Sequence, residues 1–171
     1  MQPVSAEAIP RAPENPATES SAAFALEHFL PYRLSVLTNT MSRAFARRYG
    51  ERFGLSIPEW RVMAVLGRFA PLSANEVAER TAMDKVRVSR AVARLMKNGL
   101  IDRATDSGDR RRSALKLSRA GRRMHEAIIP IARQIEAALL ARLTPEERDS
   151  LDRIVSKLMD RATALDRGEI G

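Results

Sequence analysis

Leu34, Leu37, Met41, Ala44 and Phe45 recur at spacings of three and four. That repeat puts one apolar stripe along a helix of 3.6 residues per turn. The stripe follows Pro31, which suits a first helical turn because its missing N–H has no partner to lose there, and it breaks at Gly54. A helix is predicted over this span, with Phe24 to Leu30 as a short leading turn. Ile57 to Phe69 predicts a second helix, opened by Ser56 and Pro58, with Trp60, Met63, Ala64 and Leu66 inside it and Pro71 behind it. Ser73-Ala-Asn-Glu76 is a capping box, in which the serine oxygen takes a first-turn N–H while the glutamate reaches back; a short helix through Thr81 follows. Asp84 caps the next helix, which runs to about Asn98 and stops at Gly99.

Leu100 to Ala104 then predicts extended chain, Thr105 to Asp109 a turn cluster, and Ser113 to Leu117, which alternates, the returning strand of a hairpin. Ser118 starts a long helix expected to reach about Leu143 and to be interrupted or bent at Pro130. Thr144-Pro145-Glu146-Glu147 is a strong helix start. It leads the stripe Leu151, Ile154, Val155, Leu158, Met159, Ala162 and Leu165. No internal repeat is present. Residues 1–21 hold four prolines and no apolar period, and are read as a disordered tail.

The order is mainly α with one small β-hairpin. The expected architecture is a winged helix-turn-helix lobe at 57–121, between an N-terminal dimerisation helix region at 22–56 and C-terminal dimerisation helices at 122–171. The flanking stripes motivate the homodimer, because a lone lobe would expose much of them. A two-fold dimer in turn asks for a pseudo-palindromic site.

Charge sharpens this picture. Residues 84–123 hold thirteen of the 29 Lys and Arg but only four of the 21 acids, so a segment of net +9 sits in a chain of net +8. A concentrated cationic block fits a polyanion, and double-stranded DNA is the expected partner. Cysteine is absent, which excludes disulfides and thiolate metal sites. His28 and His125 are far apart in sequence, and no metal site is expected. There is no Gly-rich phosphate loop, nucleophile elbow or carboxylate cluster, so neither a catalytic residue nor a cofactor is expected. No apolar run approaches a bilayer span and no signal pattern opens the chain; a cytoplasmic protein that does not enter a membrane is the expectation.

On a helical wheel of 85–97, Val88, Val92 and Leu95 gather on one side while Arg87, Arg90, Arg94 and Lys97 fall on the outward arc. Such a helix has a dry face for its own domain and a cationic face for a groove. Arg87, Ser89 and Arg90, in the N-terminal half, are candidates for base contacts, since arginine pairs bidentately with guanine; Lys85 and Arg94 are candidates for phosphates. At the hairpin tip, Arg110, Arg111 and Arg112 repel one another unless an anion lies between them, and a narrow minor groove supplies that field. Asp109 can orient one of these guanidinium groups.

Asp109-x-Arg111-x-x-x-Leu115-x-Leu117-Ser118-x-x-Gly121 resembles the wing motif of the MarR family of bacterial regulators, with Ser118 where the family commonly has threonine. Leu95-x-x-x-Gly99-Leu100-Ile101-x-Arg103 resembles the family's passage from recognition helix to first wing strand. The resemblance covers roughly residues 30–163. It implies a dimer, a wing arginine at Arg111 oriented by Asp109, and a repressor released from its operator by a small ligand. The segment Leu30 to Asn39 is similar to regulators of aromatic-acid breakdown, which implies an aromatic acid or an aromatic acyl-CoA thioester as effector. Arg33 can hold a carboxylate or phosphate, Ser35 and Asn39 can orient a carbonyl, and Trp60 can stack on a ring; His28 is a further candidate. The alternative is a ligand-independent architectural DNA-binding protein, and beyond that a winged-helix protein-interaction module.

Overall fold

The computed structural model describes residues 24–105 and 113–169. The expected tail at 1–21 and the wing-tip candidates Asp109, Arg110, Arg111 and Arg112 lie outside the described residues. After a 3-10 turn at Leu26–His28 come α1 (Leu30–Phe53), α2 (Ile57–Phe69), α3 (Ala74–Thr81), α4 (Lys85–Lys97), β1 (Ile101–Thr105), β2 (Ser113–Leu117), α5 (Arg119–Leu139) and α6 (Pro145–Asp166). The chain is mainly α with one two-stranded hairpin, as its periodicity predicts. Among the described residues no helix is long and apolar enough to cross a membrane.

Two compact units divide at Met41 and Ser42, inside α1. In the first, the Phe24 and Phe29 rings meet at 5.0 Å, and Leu30, Tyr32, Leu34, Val36 and Leu37 are all exposed. The second unit holds the core, in which Tyr49, Val62, Met63, Leu66, Val77, Val88, Leu95, Leu115 and Ile128 are buried. α6 lies in this unit too, yet none of its residues is buried, and Leu151, Ile154, Val155, Leu158 and Met159 are exposed.

The starts of α2 to α6 are built from the side chains that announce them. Ser56, Ser73 and Thr144 close capping boxes with Glu59, Glu76 and Glu147. Asp84 and Ser118 accept from the N–H groups of Arg87 and Gly121. α4 ends in a Schellman turn: Gly99, at φ +67°, donates to Met96 O and Leu100 donates to Leu95 O, which satisfies carbonyls the helix leaves orphaned. The turn between α3 and α4 uses the same device on a residue less suited to it. Ala82 takes φ +50°, a left-handed conformation that costs an alanine about 1 kcal/mol. Met83 N–H donating to Ala78 O and Thr81 Oγ1 donating to Val77 O at 2.7 Å hold that turn shut.

The hairpin pairs Ile101 with Leu117 and Thr105 with Ser113, antiparallel. Leu72 adds a bridge to Leu115 through two backbone hydrogen bonds, tying the α2–α3 loop to the wing. Two expectations for α5 need correction. The helix is not interrupted at Pro130, because Met124 and Ile128 seat the preceding turns in the core and packing overrides the local cost of proline. It ends at Leu139 rather than near Leu143. The chain turns there to reach the Thr144 cap, and Leu140 O accepts both from the Leu143 N–H and, at 2.9 Å, from Arg148 Nη2.

α4, β1 and α5 meet at one point. The Ser118 hydroxyl donates to Gly99 O at 2.7 Å, and the Ser118 N–H donates to Leu100 O at 3.0 Å. The same hydroxyl accepts from Gly121 N–H at 3.0 Å. Gly121 lies so close to this strand entry that a Cβ there would fall 2.0 Å from the Leu100 carbonyl oxygen.

Candidate nucleic-acid interface

α4 sorts its residues by face as the wheel predicts. Val88, Ala91, Val92 and Leu95 are buried. Lys85, Arg87, Ser89, Arg90, Arg94 and Lys97 are all exposed. The outward cations differ in how they are held. Arg87 Nε lies 3.5 Å from Asp84 Oδ2, its own helix cap, with both side chains mostly exposed; such a pair is weak. Arg94 Nε lies 3.3 Å from Glu59 Oε1 on α2. Arg90 has no ion-pair partner among the described residues, which leaves its planar fork open to solvent.

Two residues were not found from the sequence. Val86 is 59% exposed on α4 and sits one turn before Arg90 on the same face. An apolar side chain there has the chemistry to meet a thymine methyl. Its signal was the i, i+4 spacing to Arg90, outside the buried arc. Glu59 is 2% exposed, and its partner is 35 positions away in the chain, so sequence spacing carries no sign of it. Together with Ser56 and Pro58 it forms one wall of a shallow groove whose other wall is Arg87, Arg90 and Arg94.

Exposed cations continue beyond α4. Arg103 and Lys116 stand on the hairpin strands, and Arg119, Arg122 and Arg123 lie in the first turns of α5.

The effector candidates divide between the two units. His28, Arg33, Ser35 and Asn39 belong to the first and are exposed. Trp60 belongs to the second and is half-buried. Its ring neighbours are Phe45 at 5.7 Å, Tyr49 at 5.8 Å and His125 at 5.7 Å, the last stacked at 25°. Gly67 makes room for this imidazole, since a Cβ there would come within 2.4 Å of His125 Nε2. Burial pushes the His125 imidazole below its ordinary value of 6.5, against the opposite pull of Glu126. The folded state therefore binds the proton less readily than the unfolded chain, and acid favours unfolding. The stability linked to His125 is complete above pH 6.5 and is lost as pH falls through the lower folded value. Thermal melts of the wild type and His125→Phe between about pH 7 and pH 5 should show the steeper fall in the wild type. Equal slopes would mean that the stacked imidazole does not couple to folding.

A capped, cationic helix packed with two others, followed by a hairpin, is a winged helix-turn-helix. The comparisons place it further. The sequence profile of the MarR family matches residues 53–112. The HTH-type transcriptional repressor NicR of Pseudomonas putida is 31% identical over 98 residues, which span 57% of this chain and 62% of NicR. A probable transcriptional regulator of known structure from Pseudomonas aeruginosa is 33% identical, with a TM-score of 0.69 over 78% of this chain and 99% of its own. The structure of Bordetella bronchiseptica BpsR, whose DNA binding is regulated by 6-hydroxynicotinic acid, shares the fold at 23% identity, with a TM-score of 0.71 over 80% and 97% of the two chains. MarR family regulators of known structure align equally well. The chain belongs to the MarR family.

Proposed function

We propose that this chain is a DNA-binding transcriptional regulator, a homodimeric repressor that a small aromatic acid or aromatic acyl-CoA thioester releases from its operator. The observation that carries the reading is the outward face of α4: Lys85, Arg87, Arg90, Arg94 and Lys97 are exposed on a helix whose opposite face is buried. Arg87, Ser89, Arg90 and Val86 read base edges in a major groove, Lys85 and Arg94 meet phosphates, and the wing carries Arg111 to the minor groove beside it. The dimer draws its support from the uncovered apolar side chains of α6 and of the first unit, which a second copy would bury. Two-fold symmetry then calls for a pseudo-palindromic operator with half-sites about 34 Å apart.

The ligand class draws support from BpsR, which answers to an aromatic acid, and from Arg33, Ser35 and Asn39 on one segment of α1. Release works as a population shift: the effector acts only as far as it binds the DNA-competent and misfit spacings of the two α4 helices unequally. The test is binding at fixed salt to the chain's own upstream DNA and to random duplex, with and without a panel of aromatic acids and their CoA thioesters. Selective binding that one compound abolishes is the expected result. Selective binding that no compound alters would remove the effector; equal binding to both duplexes would make the protein architectural.

A further inference from the structure

Resting on the DNA-binding reading above, we infer that Glu59 is a positioning residue for DNA binding, holding Arg94 by one edge so that its other edge grips a phosphate. Three capping-box glutamates occur among the described residues. Glu76 and Glu147 are exposed, whereas Glu59 is buried and faces α4. A buried carboxylate demands partners, and Glu59 divides its oxygens between two. Oε2 accepts from the Ser56 backbone N–H at 2.7 Å and from the Ser56 hydroxyl. That leaves Oε1 fixed in place, 3.3 Å from Arg94 Nε. Capping requires only the first set of contacts; the second reaches across to the recognition helix.

The Arg94 side chain is 71% exposed despite this pair. Guanidinium is planar, so a partner at Nε sets the plane of the whole group, and the two Nη nitrogens remain for a second anion. An arginine ordered beforehand loses less freedom when it binds. Lysine is a poorer substitute, since its ammonium is a point charge with no plane for Glu59 to set.

Charge counting makes the opposite forecast. Glu59 is an anion close to a polyanion, so neutralising it should tighten DNA binding by removing repulsion. The sign of the effect therefore separates positioning from bulk electrostatics.

The experiment measures affinity for a labelled random-sequence duplex across a salt series, with thermal melts to establish that each variant is folded. A phosphate contact acts on any sequence, so no operator is needed. Glu59→Gln and Arg94→Lys should each weaken binding about fivefold and Arg94→Ala about tenfold, and the salt slope of Glu59→Gln and Arg94→Ala should fall by about one ion. The double variant Glu59→Gln/Arg94→Ala should bind no more weakly than Arg94→Ala alone. A folded Glu59→Gln that binds as tightly as the wild type or tighter, or losses that simply add, would overturn the inference. Should Glu59→Gln fail to fold, Arg94→Lys decides, because its side chain is mostly exposed: weakened binding supports positioning and wild-type binding overturns it. A wild type that binds no duplex overturns the DNA-binding reading and this inference with it. Binding without operator preference changes the reading to architectural and leaves Glu59 in its role.

Discussion

Replacing Gly121 with alanine is expected to destabilise the fold by about 3 kcal/mol. Helix propensity alone predicts the reverse, since alanine is favoured over glycine inside a helix by about 1 kcal/mol. The sign turns on the 2.0 Å separation between a Cβ at this position and the Leu100 carbonyl oxygen. That oxygen is backbone, it already accepts from the Ser118 N–H, and it lies directly after the Schellman turn of α4. It cannot step aside as the end of a flexible side chain would. Accommodating one methyl group requires α5 to lift from the strand entry, which pulls on the Ser118 hydrogen bonds to Gly99 O and Leu100 O. Urea denaturation of the two proteins measures the difference. A gain in stability, or a loss below about 1 kcal/mol, would show that this contact yields.

Arg90→Ala is expected to weaken operator binding by about 1–3 kcal/mol, with the loss confined to one base-pair position. Of the outward arginines of α4, Arg87 is paired to Asp84 and Arg94 to Glu59, whereas Arg90 has no ion-pair partner among the described residues. Arg90 also has Val86 beside it on the same face. Binding measured on an operator series with each base pair changed in turn should show preference at the Arg90 position vanishing in the variant. Equal loss on every sequence and on random duplex would make Arg90 a phosphate contact. Arg111→Ala, by contrast, should weaken binding to all sequences alike, because a minor-groove arginine reads groove width more than base identity.

Much of this fold is legible in the chain because its boundaries are chemical. Ser73, Asp84, Ser118 and Thr144 each cap a helix as their spacing suggests, and Gly99 stops α4 by a local rule. The buried and exposed arcs of α4 follow from periodicity. What escaped depends on contacts between distant segments. The Leu72–Leu115 bridge, the Glu59–Arg94 pair and the stacking of Trp60 on His125 join positions that no local pattern relates. Proline and glycine were read by propensity. Pro130 sits in an unbroken helix because packing holds it there, and the left-handed turn between α3 and α4 falls on Ala82, where sequence offers no glycine to mark it. Of the site, the exposed face of α4 was readable residue by residue, apart from Val86. The effector candidates depend on how a pocket forms rather than on spacing.

The meeting point at Ser118 has a mechanical side. α5 is a rod of 21 residues and α4 one of 13, and both are anchored where Ser118 binds Gly99 and Leu100. At 1.5 Å per residue their far ends stand roughly 30 Å and 20 Å from that point, so a swing of about 5° about it would move them by about 2.6 Å and 1.7 Å. A base contact tolerates only a few tenths of an ångström before its hydrogen bonds fail. A swing of α5 that carried α4 with it through this joint would therefore displace the exposed face of α4 by several times what a hydrogen bond to a base tolerates.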